Sequence, residues 1–109
     1  MMDSDHTTPD GTLHFLVRSP DGDRTMGFDG FAWHTHGDIL AALSTGTPEE
    51  ATERFITDLI TGKLIIAVAK TSGVTRDVWI TDDPVGHLRY CPPEETIEFH
   101  RWDGTRVTV

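Results

Sequence analysis

His34, His36 and Asp38 lie at alternate positions and are the residues best suited by type and spacing to chemistry. Alternate residues of a strand point to the same side, so this pattern predicts two imidazoles presented together. Neutral imidazole is a common zinc ligand, and the Asp38 carboxylate would add an oxygen ligand. The spacing does not choose among four candidates for a further ligand, which are His87, His100, Asp82 and Asp83.

The segment 34–38, His-Thr-His-Gly-Asp, resembles the start of the H-x-H-x-D-H signature of the metallo-β-lactamase family. Ile39 stands where that signature has its last histidine, and the resemblance covers five residues of 109. The chain is also short for the two-sheet sandwich that the resemblance would imply. Because short motifs often match by chance, we do not assign the chain to this family. We expect instead that Asp38 caps a short helix and that no metal is bound.

Other catalytic signatures are weak. Nucleophilic cysteines usually lie at a helix N-terminus or beside a cation, whereas Cys91 precedes two prolines. The glycines do not have the spacing of a phosphate-binding loop. The sequence therefore favours a non-enzymatic protein without a cofactor. The alternative is a metal-dependent, hydrolase-like enzyme that uses His34, His36 and Asp38 with zinc.

The charge of the chain is strongly acidic and unevenly distributed. It has 18 acidic and 9 basic residues, a net charge of -9. Residues 1–62 carry a net charge of -8 and residues 63–109 a net charge of -1. Phosphate backbones and anionic membranes need cationic side chains, so the composition disfavours both as partners. A basic protein partner would be attracted, and three aspartates in closely spaced turns would steer it: Asp21, Asp23 and Asp29.

Two tryptophans add a second indication of protein binding. Trp79 and Trp102 are predicted to lie opposite the apolar residues of their strands, where they would form an exposed patch or a second small core. Tryptophan is a typical anchor of protein interfaces. With the charge pattern, this predicts a small acidic protein-binding module, such as an inhibitor or immunity-type protein for a basic partner. A structural homodimer is a third interpretation.

The predicted fold is α+β, with one main helix on one face of a mostly antiparallel sheet of five to seven strands. The helix is expected over Pro48–Thr61, because Thr47 to Glu50 form a capping box with proline at the first helical position. A short helix is expected before it, over 39–44. Residues 64–69 are apolar at every position and predict a central strand with both faces covered.

The remaining expectations concern the ends of the chain and its compartment. Apart from Met1 and Met2, residues 1–11 lack apolar side chains of the kind that form a core, and they predict a flexible acidic tail, followed by a single domain over 12–109. Residues 82–93 are expected to form a loop, and a final hairpin is expected to turn at Asp103-Gly104. The chain has no long apolar run, no signal-peptide pattern and one cysteine, which together favour the cytoplasm.

Overall fold

The computed structural model describes residues 4–18, 25–31, 33–36, 39–40, 46–81, 84–89 and 93–108. These residues include seven strands in two antiparallel sheets, one long helix and one short helix. The α+β class is therefore confirmed, and the strands are divided between a sheet of four and a sheet of three. No helix in the described ranges is long and apolar enough to cross a membrane.

The first sheet has the strand order β1-β2-β3-β4. Its strands are β1 Ser4–Thr7, β2 His14–Arg18, β3 Thr25–Phe28 and β4 His34–His36. Within residues 1–11, expected from sequence to form a flexible tail, the structure places β1, which pairs with β2 along its whole length. Its residues alternate between half-buried and exposed, but all are polar. A polar edge strand lacks the apolar alternation by which sequence identifies a strand.

The long helix, α1, spans Pro48–Ile60 and begins as predicted. The Glu50 backbone N–H donates to Thr47 Oγ1 at 3.1 Å, and the Thr47 N–H donates to Glu50 Oε1 at 3.3 Å. These reciprocal bonds form the capping box. Gly62 ends the helical segment with a φ of +82°, a left-handed conformation that costs glycine little. Both ends of α1 are thus specified locally.

The second sheet has the order β6-β5-β7, with β5 Ile65–Thr71, β6 Val74–Thr81 and β7 Glu95–His100. The central strand β5 is buried on both faces, as predicted. Ile66 and Val68 are buried on one face, and Ala67 and Ala69 on the other. Continuous apolar sequence was the correct indicator here, because a strand covered on both sides has no solvent face to carry polar residues.

One hydrophobic core joins both sheets and α1. Its buried members are Phe15, Val17, Met26, Phe28, Leu59, Ile66, Val68, Val78 and Trp102. Leu59 is fully buried, whereas Phe55 is half-buried, with its ring centroid 6.3 Å from that of Phe15 on β2. Helical spacing predicts that Ile60 lies on one apolar stripe with Ala51, Phe55, Ile56 and Leu59. Ile60 is instead 41% exposed. The buried stripe of α1 is therefore narrower than its sequence indicates.

Two further segments differ from the sequence-based expectation. The predicted loop over 82–93 contains a short helix, α2, at Pro84–Arg89. Proline at the first helical position is favourable, so Pro84 begins a helix rather than interrupting one. The final hairpin is reduced to a single bridge between His100 and Arg106, with the Val107 N–H donating to the Phe99 carbonyl. Ile39 and Leu40 are helical, and the rest of the short helix expected at 39–44 lies outside the described residues.

Candidate functional site

A cleft of about 360 Å³ opens between the β1–β2 turn and the core-facing side of the second sheet. Its apolar lining consists of Leu13, Phe31, Ile66, Val68 and Trp102. Its polar and charged lining comprises Thr8, Asp10, Thr12, Lys70, Thr75, His100 and Arg101. Small-molecule sites combine apolar side chains with polar groups that orient the ligand, and both kinds line this cleft. This cleft is the principal candidate site in the described part of the chain.

Strand register places three ionisable side chains together on the cleft-facing side of the second sheet. Glu98 lies opposite Val68, with Lys70 as its diagonal neighbour on β5 and His100 two residues further along β7 on the same face. Lys70 Nζ lies 3.0 Å from Glu98 Oε2, and His100 Nε2 lies 3.3 Å from Glu98 Oε1. The hydrogen bond from Lys70 is the largest cause of a lowered Glu98 pKa, although partial burial opposes it. Glu98 is therefore held as a carboxylate with a partner on each oxygen.

A second carboxylate, Asp10, stands at the rim of the cleft in the β1–β2 turn. Its Oδ1 accepts hydrogen bonds from Thr8 Oγ1 at 2.7 Å, Thr12 Oγ1 at 2.8 Å and the Thr12 N–H at 3.0 Å. These bonds favour the ionised form and lower the pKa of Asp10 from 3.8 to about 2. Asp10 thus contributes a fixed negative charge to the rim.

The two histidines of the sequence pattern do lie side by side on β4. The rings of His34 and His36 are 5.1 Å apart between centroids, with an edge-to-face orientation. His36 Nδ1 lies 3.4 Å from Thr25 Oγ1 on the neighbouring strand. Asp38 lies outside the described residues, as do Asp82 and Asp83. Within the described ranges, no three His, Cys, Asp or Glu side chains gather as a possible metal site.

Of the residues predicted to bind a partner, the structure describes three, and these differ in how exposed they are. Trp79 is half-buried on β6. Trp102 is 6% exposed and belongs to the core, which removes it from the predicted exposed patch. The reason is that β7 ends at His100, so that Trp102 lies in a turn and packs inward. Asp29 is exposed after β3, and Asp21 and Asp23 lie outside the described residues.

The solvent-facing side of α1 presents a further charged surface, which we call the acidic helix face. Its members are Glu49, Glu50, Glu53 and Asp58, of which the three glutamates are exposed and Asp58 is partly so. Arg54 is the single basic residue of the helix. The opposite side of α1 buries Ala51, Thr52 and Leu59, so the helix is fixed in its orientation.

Sequence reasoning missed the cleft and its main charged residues, Asp10, Lys70 and Glu98. One signal was present, because Glu98 and His100 alternate on a predicted strand and must share a face. Their meeting with Lys70 depends on which strands are neighbours and in which register, and local sequence does not encode either. Comparison of the chain with known protein families, with curated proteins and with solved structures gives no match.

Proposed function

We propose that the chain is a non-enzymatic, cytoplasmic protein-binding module that binds a basic partner, as an inhibitor or immunity-type protein does. The observation that carries this proposal is the acidic helix face. It presents four carboxylates from one rigid element, and α1 holds a single basic residue among them. Clustered charge of one sign attracts an oppositely charged surface and accelerates its association. Nucleic acids and anionic membranes would be repelled.

The experiment begins with the partner captured from the source cell, whose association is then followed by surface plasmon resonance at several salt concentrations. The test variant combines Glu49→Gln, Glu53→Gln and Asp58→Asn, and it retains Glu50 because that residue caps α1. The control combines Glu94→Gln, Glu95→Gln and Asp103→Asn, which removes the same charge elsewhere. We expect the test variant to associate at least about tenfold more slowly and with a weaker salt dependence.

The control variant should associate at close to the rate of the original protein. An acidic partner, an association rate independent of salt, or equal slowing by both variants would each contradict the proposal. Asp21→Asn with Asp23→Asn should slow association in the same way if these turns help to steer the partner. Trp79→Ala should instead accelerate dissociation, because aromatic anchors mainly determine the off-rate.

A metal-dependent enzyme that uses His34, His36 and Asp38 is the second candidate. The adjacent imidazoles of β4 favour it, because two ligands are already close together. Zinc would take a neutral nitrogen from each ring and an oxygen from Asp38. We expect the protein purified without a histidine tag to contain no stoichiometric metal. One zinc per chain, lost in His36→Ala, would instead support the enzyme.

A further inference from the structure

The cleft combines a small volume with an apolar floor to which both sheets contribute. At about 360 Å³ it lies at the lower end of the range for small-molecule sites, ~300–1,000 Å³. Ile66 and Val68 line the floor from β5, and Leu13 and Phe31 line it from the first sheet and the turn that follows β3. Burial of apolar ligand surface against these side chains is favourable, because it removes that surface from water. The shape and floor therefore suit a compact molecule with an apolar body.

The ionised groups at the cleft balance one another, although the whole chain has a net charge of -9. Lys70 and Arg101 are cationic and line the cleft together with the anionic Asp10. Glu98, on the cleft-facing side of β7, is a carboxylate paired with Lys70. With His100 counted as neutral, the two positive and two negative charges cancel. The cleft thus offers no excess charge of either sign to a ligand.

Each of these four charges also has a partner that stabilises its ionised form. Lys70 Nζ lies 3.0 Å from Glu98 Oε2. Asp10 Oδ1 accepts three hydrogen bonds from the two threonines that flank it in the β1–β2 turn. Arg101 donates to the Gly62 carbonyl. An ionic ligand would therefore lose hydration on entering the cleft without meeting a counter-charge that lacks a partner, and this loss is costly.

We propose that the cleft binds a free, uncharged small molecule with an apolar body. The body would cover Ile66, Val68 and Trp102, and the pairing of Lys70 with Glu98 would keep the cleft neutral. This pairing excludes ions by leaving neither charge available to them. The site is separate from the acidic helix face, so the proposal does not depend on a protein partner.

The first test compares three probes of equal chain length: octanol, octanoate and octylammonium. Binding is measured by isothermal titration calorimetry at low salt, and the site is located from amide shifts in two-dimensional NMR spectra. We expect octanol to bind most tightly and to shift the amides of Val68, Lys70 and His100. No detectable binding of octanol, equally tight binding of either ion, or shifts confined to other residues would overturn the proposal.

The second test changes the charge of the cleft, because octanol is also the most apolar of the three probes and could be favoured for that reason alone. Glu98→Gln leaves Lys70 without its carboxylate partner, and it should strengthen octanoate binding by roughly fivefold while octanol binding changes little. Lys70→Met combined with Glu98→Gln makes the cleft neutral with respect to this pair again, and octanoate should then bind as weakly as to the original protein. Glu53→Gln removes the same charge from α1 and is the control, which should leave all three affinities unchanged. A Glu98→Gln variant that binds octanoate no better than Glu53→Gln does, with folding verified by NMR, would overturn the role of the ion pair in excluding ions.

Discussion

Single side chains in the β1–β2 turn determine the ionisation of Asp10. Because its pKa is lowered to about 2, its contribution to stability is present above about pH 4 and is lost as the pH falls toward 2. Thr8 provides the largest contribution to the shift and Thr12 the next. We predict that Thr8→Val raises the pKa of Asp10 toward 3.8 and that Thr12→Val raises it less, as measured by carbon-13 NMR titration of the carboxyl group. A larger shift in Thr12→Val would contradict this order.

Backbone conformation at Ser72 gives a second prediction at this scale. Ser72 and Gly73 connect β5 and β6 with φ values of 52° and 78°. Positive φ at both central positions is typical of the type I′ hairpin turn, in which asparagine followed by glycine is strongly preferred. Ser72→Asn should therefore stabilise the protein by about 0.5 kcal/mol, measured by urea denaturation, whereas Ser72→Val should destabilise it by roughly 1 kcal/mol or more. Equal stability of the two variants would mean that the turn conformation is unimportant.

At the scale of elements, α1 depends on the narrow stripe that it buries. Leu59 is fully buried in the core and Ile60 is 41% exposed, although the two are adjacent in sequence. We predict that Leu59→Ala lowers the free energy of unfolding by about 2–5 kcal/mol, because it removes buried methyl groups and leaves a cavity. Ile60→Ala should cost well under half as much. Chemical denaturation of both variants measures this difference. Similar losses of stability would mean that the two side chains are equally buried, and therefore that the helix has a different orientation.

Phe55 shows that the stability lost on truncating a side chain depends on how deeply the structure buries it. Its apolar type and spacing predict full burial, for which truncation to alanine would cost about 3–5 kcal/mol. The side chain is half-buried, with its ring near Phe15 of β2. We therefore expect Phe55→Ala to cost less than that range, measured by the same denaturation experiment. A loss at the upper end would indicate that the ring is more enclosed in solution.

Elements with strong local signals could be predicted from sequence, whereas those defined by their neighbours could not. The capping box of α1 and the uniformly apolar β5 are encoded within a few residues, and both were predicted correctly. β1 is polar, so only its pairing with β2 makes it a strand. α2 begins at a proline that is equally compatible with a turn. The cleft required the register of β5 with β7, which is a property of the assembled sheet.

At the scale of the whole molecule, the acidic surface lies apart from the hydrophobic core. The acidic helix face lies on the solvent side of α1, while the Lys70–Glu98–His100 group lies at a cleft next to the core. Substitutions of the exposed carboxylates of α1 should therefore leave the contacts of Lys70 and His100 with Glu98 unchanged.

Packing between the sheets also predicts how the molecule unfolds. Val17 of the first sheet and Val78 of the second are both fully buried members of the same core, so neither sheet buries its apolar face alone. We therefore expect a single cooperative transition, in which the slowest-exchanging amides of β2 and β5 report the same free energy of opening by hydrogen exchange. Val17→Ala should lower that value by roughly 2 kcal/mol in both strands.

Val74→Ala, at a position 56% exposed at the start of β6, is the matched control and should change it little. If Val17→Ala lowers protection in β2 while β5 keeps its original value, the two sheets unfold separately. The single domain predicted for residues 12–109 would then have to be divided.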